Sequence, residues 1–240
     1  MYNTILYVVV IMAVIYGAFF FITYQRRRKL LNVMEHLDMD EEARQAPSYK
    51  DRLLETDFAF VKKQLGDQPA DAFTYANTQY TGKDQAKDIA KDTLKGLATL
   101  GTVKFRTVQT PKYLVLSGGA LHLMDTDSDG DINKHIVFEP FRLQQARIEE
   151  KPLSGMAKAQ AKFGKFDLKL YKLYLPTEDG EIIMDIYNML LFNFAHSGAN
   201  ALTMSPHKQV ENIVVANHFL YILGQKYPHL RVPTAIPFKA

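Results

Sequence analysis

The densest run of chemistry-bearing side chains is Asp125-Thr126-Asp127-Ser128-Asp129-Gly130-Asp131-Ile132-Asn133. Oxygen donors at its first, third and fifth places, glycine at the sixth and an apolar residue at the eighth follow the opening of an EF-hand calcium loop. Alternating oxygens wrap a hard cation, and the glycine permits the sharp turn. The twelfth place holds Ile136 instead of the bidentate glutamate, and the flanks Leu121-His122-Leu123-Met124 and Ile136-Val137-Phe138 alternate like strands. The expectation is an acidic hairpin turn whose Asp125, Asp127, Asp129 and Asp131 form at most a weak Ca2+ site.

Two basic groups stand apart from it. Arg26, Arg27, Arg28 and Lys29 are consecutive, and Lys151, Lys158, Lys162 and Lys165 occupy a stretch without an acidic residue between Glu150 and Asp167, interleaved with Phe163 and Phe166. Such cations suit anionic lipid headgroups. A nucleic-acid partner is not expected, because no set of planar stackers accompanies the charge. The histidines His36, His122, His135, His196, His207, His218 and His229 show no zinc-ligand spacing. No nucleophile elbow, phosphate loop or dinucleotide fingerprint is present, so no catalytic residue is assigned.

With 29 basic and 26 acidic side chains in 240 residues, the chain carries a formal +3, and the Arg26–Lys29 cluster alone accounts for more than that excess. The absence of cysteine removes disulfides, thiolate catalysis and cysteine-ligated metal centres. Residues Met1 to Gln25 contain no charged side chain, and the apolar run from Tyr2 to Tyr24 has about the length that crosses a 30 Å hydrocarbon layer as a helix. The flanking cations then orient it by the positive-inside rule. The expectation is a single-pass membrane anchor over 1–25, with the N-terminus outside and the C-terminal domain cytoplasmic.

The elements that position these groups follow from periodicity. Helical spacing is expected over Leu30–Gln45, as a continuation of the anchor helix or a short second helix ending before Pro47, and again over Asp51–Leu65, closed by Gly66. Ala72–Tyr80 reads as a strand or an extended linker, and Lys83–Leu100 as an amphipathic helix. From Lys104 the period becomes two, through Lys104–Val108, Tyr113–Leu116, the turn Ser117-Gly118-Gly119, Ala120–Met124, Ile136–Phe138 and a strand from Phe141 onward to Glu149. A longer hairpin joins Phe166–Leu175 to Ile182–Tyr187 across Thr177-Glu178-Asp179-Gly180. Ser205 and Pro206 open a last helix that the sequence ends at Gly224. These divisions give an anchor over 1–25, a helical linker region over 26–102, a β domain with closing helix over 103–227 and an extended tail over 228–240.

The two strand groups closed by a helix resemble the bacterial pleckstrin-homology-like and GRAM-like domains over about residues 104–226. The resemblance rests on Tyr113-Leu114-Val115-Leu116, Ser117-Gly118-Gly119, Leu121-His122-Leu123 and the Asp179-Gly180 hairpin. It implies an α+β fold with an antiparallel β-barrel closed by the C-terminal helix, and a binding or scaffolding role without a defined ligand. The chain departs from the eukaryotic pattern in having no tryptophan: Phe219 and Tyr221 occupy the closing helix instead. The functional expectation is a membrane-anchored, non-enzymatic scaffold or adaptor whose cytoplasmic domain binds a protein partner in a membrane complex, or anionic inner-leaflet lipid. Arg26, Arg27, Arg28, Lys29, Lys158, Lys162 and Lys165 are its candidate contact residues. The alternative is a membrane-anchored enzyme or divalent-cation module using the Asp125–Asp131 turn.

Overall fold

The computed structural model describes residues 2–78, 112–126, 132–153, 158, 167–178, 180–190 and 205–238. Helix α1 (Tyr2–Glu35) is followed by α2 (Met39–Glu55) and α3 (Ala59–Leu65). Asp38 separates the first two by capping α2, its carboxylate accepting from the backbone N–H groups of Asp40 at 2.9 Å and Glu41 at 3.3 Å. Acidic Asp40, Glu41 and Glu42 complete a first turn matched to the helix dipole. The helix does not stop before Pro47, as the sequence had indicated, but runs through it. Pro47 is exposed, on the side where solvent can satisfy the carbonyl freed by the missing N–H.

Among the described residues seven antiparallel strands follow: β1 (Ala72–Thr78), β2 (Lys112–Ser117), β3 (Ala120–Thr126), β4 (Ile132–Phe138), β5 (Arg147–Lys151), β6 (Leu170–Thr177) and β7 (Gly180–Tyr187). Their order is β4-β3-β2-β1-β7-β6-β5, so β1 is central and joins two meanders. A short helix α4 (Pro140–Leu143), opened by Pro140 at its first turn, links β4 to β5 where the sequence suggests strand from Phe141, so β5 begins only at Arg147; α5 (Pro206–Lys226) with a 3-10 turn (Pro228–Leu230) completes the fold. Gly118 and Gly119, at φ 57° and 95°, supply the left-handed pair that a two-residue hairpin between β2 and β3 requires.

β1 to β3 are buried on both faces, which is why Tyr113–Leu116 reads as an unbroken apolar run. One face presents Ala72, Ala76, Leu114, Leu116, Leu121 and Leu123 to Phe219, Leu220 and Leu223 of α5. The other presents Phe73, Tyr75, Tyr113, Val115 and Met124 to Leu53, Leu54, Phe58, Val61 and Leu65 of α2 and α3. Helix α5 also contributes Val215 and Ala216 to that second cluster, and Val210, Ile213 and Val214 to a third with Ala46 and Ile236. A helix that touches three apolar clusters has little solvent face, so even Glu211, Asn212, Asn217 and His218 are buried in it. It also runs past Gly224 to Lys226. A Cβ at Gly224 would lie 3.0 Å from the Arg231 Cα, so this glycine admits the returning backbone and does not end the helix.

Two expectations are corrected. The sheet is open: β4 and β5 end the strand order without pairing with each other, so the closed pleckstrin-homology-like barrel does not form. Barrel closure needs a continuous ladder around the ring; here the inner face is filled by α5, Tyr227 and Leu230. Second, among the described residues no helix is both long and apolar enough to cross a membrane. That finding removes the support for a transmembrane anchor over 1–25, for an integral single-pass membrane partnership and for the orientation with a cytoplasmic C-terminal domain. Helix α1 does not end at the basic cluster; it continues through Arg28 and Lys29 to Glu35. Val33 at its far end, and Leu37 just beyond, pack against the cluster formed with α5.

Candidate functional site

Three surfaces carry unassigned chemistry. The first is α1. Tyr7, Val10, Ile11, Met12, Val14, Ile15, Tyr16, Phe21, Ile22 and Tyr24 are all exposed, Tyr7 at 70% and Val14 at 65%. These positions lie around the whole circumference of the helix, not along one stripe. Arg28 and Lys29 of the sequence-predicted basic cluster are exposed just beyond them; the side chains of Arg26 and Arg27 lie outside the described set.

The second is the outer face of β5, β6 and β7. The Arg147 guanidinium lies 3.8 Å from the Tyr174 ring centroid and reaches Glu181 at 2.9 Å and Glu149 at 3.3 Å. Glu149 also pairs with Lys151 at 2.5 Å, and Lys172 with Asp185 at 2.9 Å. The Lys151 hydrogen bond holds the Glu149 carboxyl below its usual range, and the same contact raises Lys151. Lys151 therefore belongs to a sheet-surface ion network. Of the lysines expected to form a basic loop, Lys158 is exposed, and Lys162 and Lys165 lie outside the described residues.

The third is a polar line beside α3 on the β3–β4 hairpin. The register pairs His122 with Val137 and Met124 with His135, which makes the two histidines diagonal neighbours on one face. His122 Nδ1 lies 2.9 Å from His135 Nε2, and the exposed Gln64 side-chain nitrogen is 3.4 Å from His135 Nδ1. With Gln64 donating, His135 carries its proton on Nε2 and donates it to His122. Burial lowers the pKa of both rings, and for His122 the neighbouring His135 adds to the shift while Glu139 opposes it. These histidines show no zinc spacing along the chain because their contact joins two different strands: it appears only when the pairing register is known.

Of the acidic run read from the sequence, Asp125 lies among the described residues. Asp125 sits at the end of β3, directly opposite Lys112 of β2, and the two side chains form an ion pair. An ammonium thus occupies the first of the oxygen positions read from the sequence. Asp127, Asp129 and Asp131 lie outside the described residues, and among the described residues no group of three His, Asp or Glu side chains is arranged to hold a metal ion.

No protein-family model, curated protein or solved structure matches the chain.

Proposed function

We propose that this chain is a non-enzymatic adaptor, a folded body held to a helical protein partner by α1. The exposed apolar circumference of α1 carries the reading. A helix that is apolar all round is stable when enclosed, and a continuous exposed apolar surface marks a place where another molecule sits. A partner that lays two or more apolar helices along Tyr7, Val10, Val14, Ile15 and Phe21 would cover it. Arg28 and Lys29 would meet acidic side chains at the edge of that contact. The body supports such a role by fixing the far end of α1 through Val33 in the cluster shared with α5.

The experiment places a photo-crosslinker at Val14 in the tagged full-length chain and recovers it from the native source. The expected result is one stoichiometric protein crosslink that is lost when Ile15→Glu is introduced, with the folded body unchanged by circular dichroism. Crosslinks to lipid alone, or a monodisperse monomer with no crosslink, would overturn it.

A further inference from the structure

We propose that His122 and His135 form a two-nitrogen clasp for a divalent transition-metal ion of the Zn2+ or Cu2+ kind. The argument begins with the ligand atoms. His122 Nδ1 and His135 Nε2 point at each other across 2.9 Å. Two imidazoles on one tetrahedral ion, with bonds of about 2.0–2.1 Å, stand about 3.3 Å apart. Opening the pair by a few tenths of an ångström makes room for the ion, a movement within reach of side-chain rotation on a hairpin whose outer strand, β4, is an edge.

Protons balance without an added acid or base. In the metal-free pair one proton lies between the facing nitrogens. When the ion replaces it, that proton moves to His135 Nδ1, and a rotation of the Gln64 amide presents its oxygen to accept it. A ligating histidine whose second nitrogen is held by an outer hydrogen bond is the common arrangement of a metal-bound imidazole, and Gln64 is in place to provide it. Burial disfavours the charged form of both rings, which favours free lone pairs for an ion. The Glu139 charge, which acts on His122, adds attraction for a cation.

Ligand type sets the selectivity. Imidazole nitrogens prefer zinc, copper and nickel, whereas calcium and magnesium require oxygen. With two protein ligands the remaining positions fall to water, so the ion is exchangeable and the site modest in affinity.

The test titrates the full chain with Zn2+ alone, then Ca2+ alone, reading calorimetric heat and the ring-proton resonances of the histidines. One zinc per chain is expected, with His122 and His135 the resonances that move and no response to calcium. His135→Asn abolishes this binding, and Gln64→Leu, which leaves both ligands in place, weakens it about tenfold. His207→Asn is the control and leaves binding unchanged. If His135→Asn impairs folding, the wild-type resonances and Gln64→Leu still decide the matter. Zinc binding that moves other histidines, binding unaltered in Gln64→Leu, or no binding at millimolar zinc would each overturn the proposal.

Discussion

Arg52 of α2 grips Glu211 of α5 through two parallel bonds, Nη2 to Oε2 at 3.0 Å and Nε to Oε1 at 3.1 Å. The partners differ in environment: the Glu211 side chain is 7% exposed and that of Arg52 57%. The fork geometry fixes both orientation and charge complementarity, and the Tyr49 ring lies under the guanidinium at 5.1 Å. Removing Arg52 therefore leaves a desolvated carboxylate without its cation. Arg52→Ala is expected to cost about 2 kcal/mol, between the values for exposed and fully buried pairs, and Glu211→Gln less. Urea unfolding at neutral pH measures both.

Asn217 is a second polar tie. Its amide donates to the Asn188 and Ile213 carbonyls, each at 2.8 Å, and accepts from the Ala235 N–H at 3.0 Å. One fully buried side chain thus joins α5, the segment after β7 and the C-terminal tail. Asn217→Asp turns two donors into acceptors facing carbonyls, and a loss of about 3 kcal/mol is expected. Asn217→Ala is milder by thermal unfolding, because it removes the bonds without adding repulsion.

His218 is buried beside Phe238, and among the described residues its Nδ1 has no hydrogen-bond partner. Burial, aided by the Lys50 charge, lowers its pKa to about 4. The unfolded chain, with a histidine near 6.5, binds a proton that the folded chain refuses throughout the interval between those values. Stability is therefore complete above about pH 6.5 and falls as pH drops toward 4, by up to about 3 kcal/mol. His218→Phe is expected to flatten that segment of the stability–pH curve, measured by urea midpoints at several pH values.

Phe58 meets Phe73 at 5.2 Å and Tyr113 at 5.7 Å between ring centroids, at the junction of α2, α3 and the sheet. Phe58→Ala opens a cavity among aromatic rings and is expected to cost about 3–5 kcal/mol. By contrast, Val14→Glu on exposed α1 is expected to change the stability of the body by less than about 0.5 kcal/mol, while removing partner association. Paired unfolding and pull-down measurements separate the two effects.

The sequence by itself determined the local elements. The Gly118-Gly119 turn, the period-two strands of the β6–β7 hairpin and the Ser205-Pro206 start of α5 follow from backbone preferences that act within a few residues. Tertiary structure decided which of these elements enclose one another. Ala72–Thr78 is short and aromatic, a pattern equally suited to a linker, and becomes the central strand only because β2 and β7 pair on either side of it. The open sheet follows from α5 filling the space that barrel closure would have enclosed. Gly224 looked like a helix end because glycine often is one; the approach of Arg231, a contact between segments that no local pattern encodes, gives it another reason. The His122–His135 contact has the same origin. Residue types are written in the chain, but distances across a hairpin depend on a register set by packing against α3 and α5.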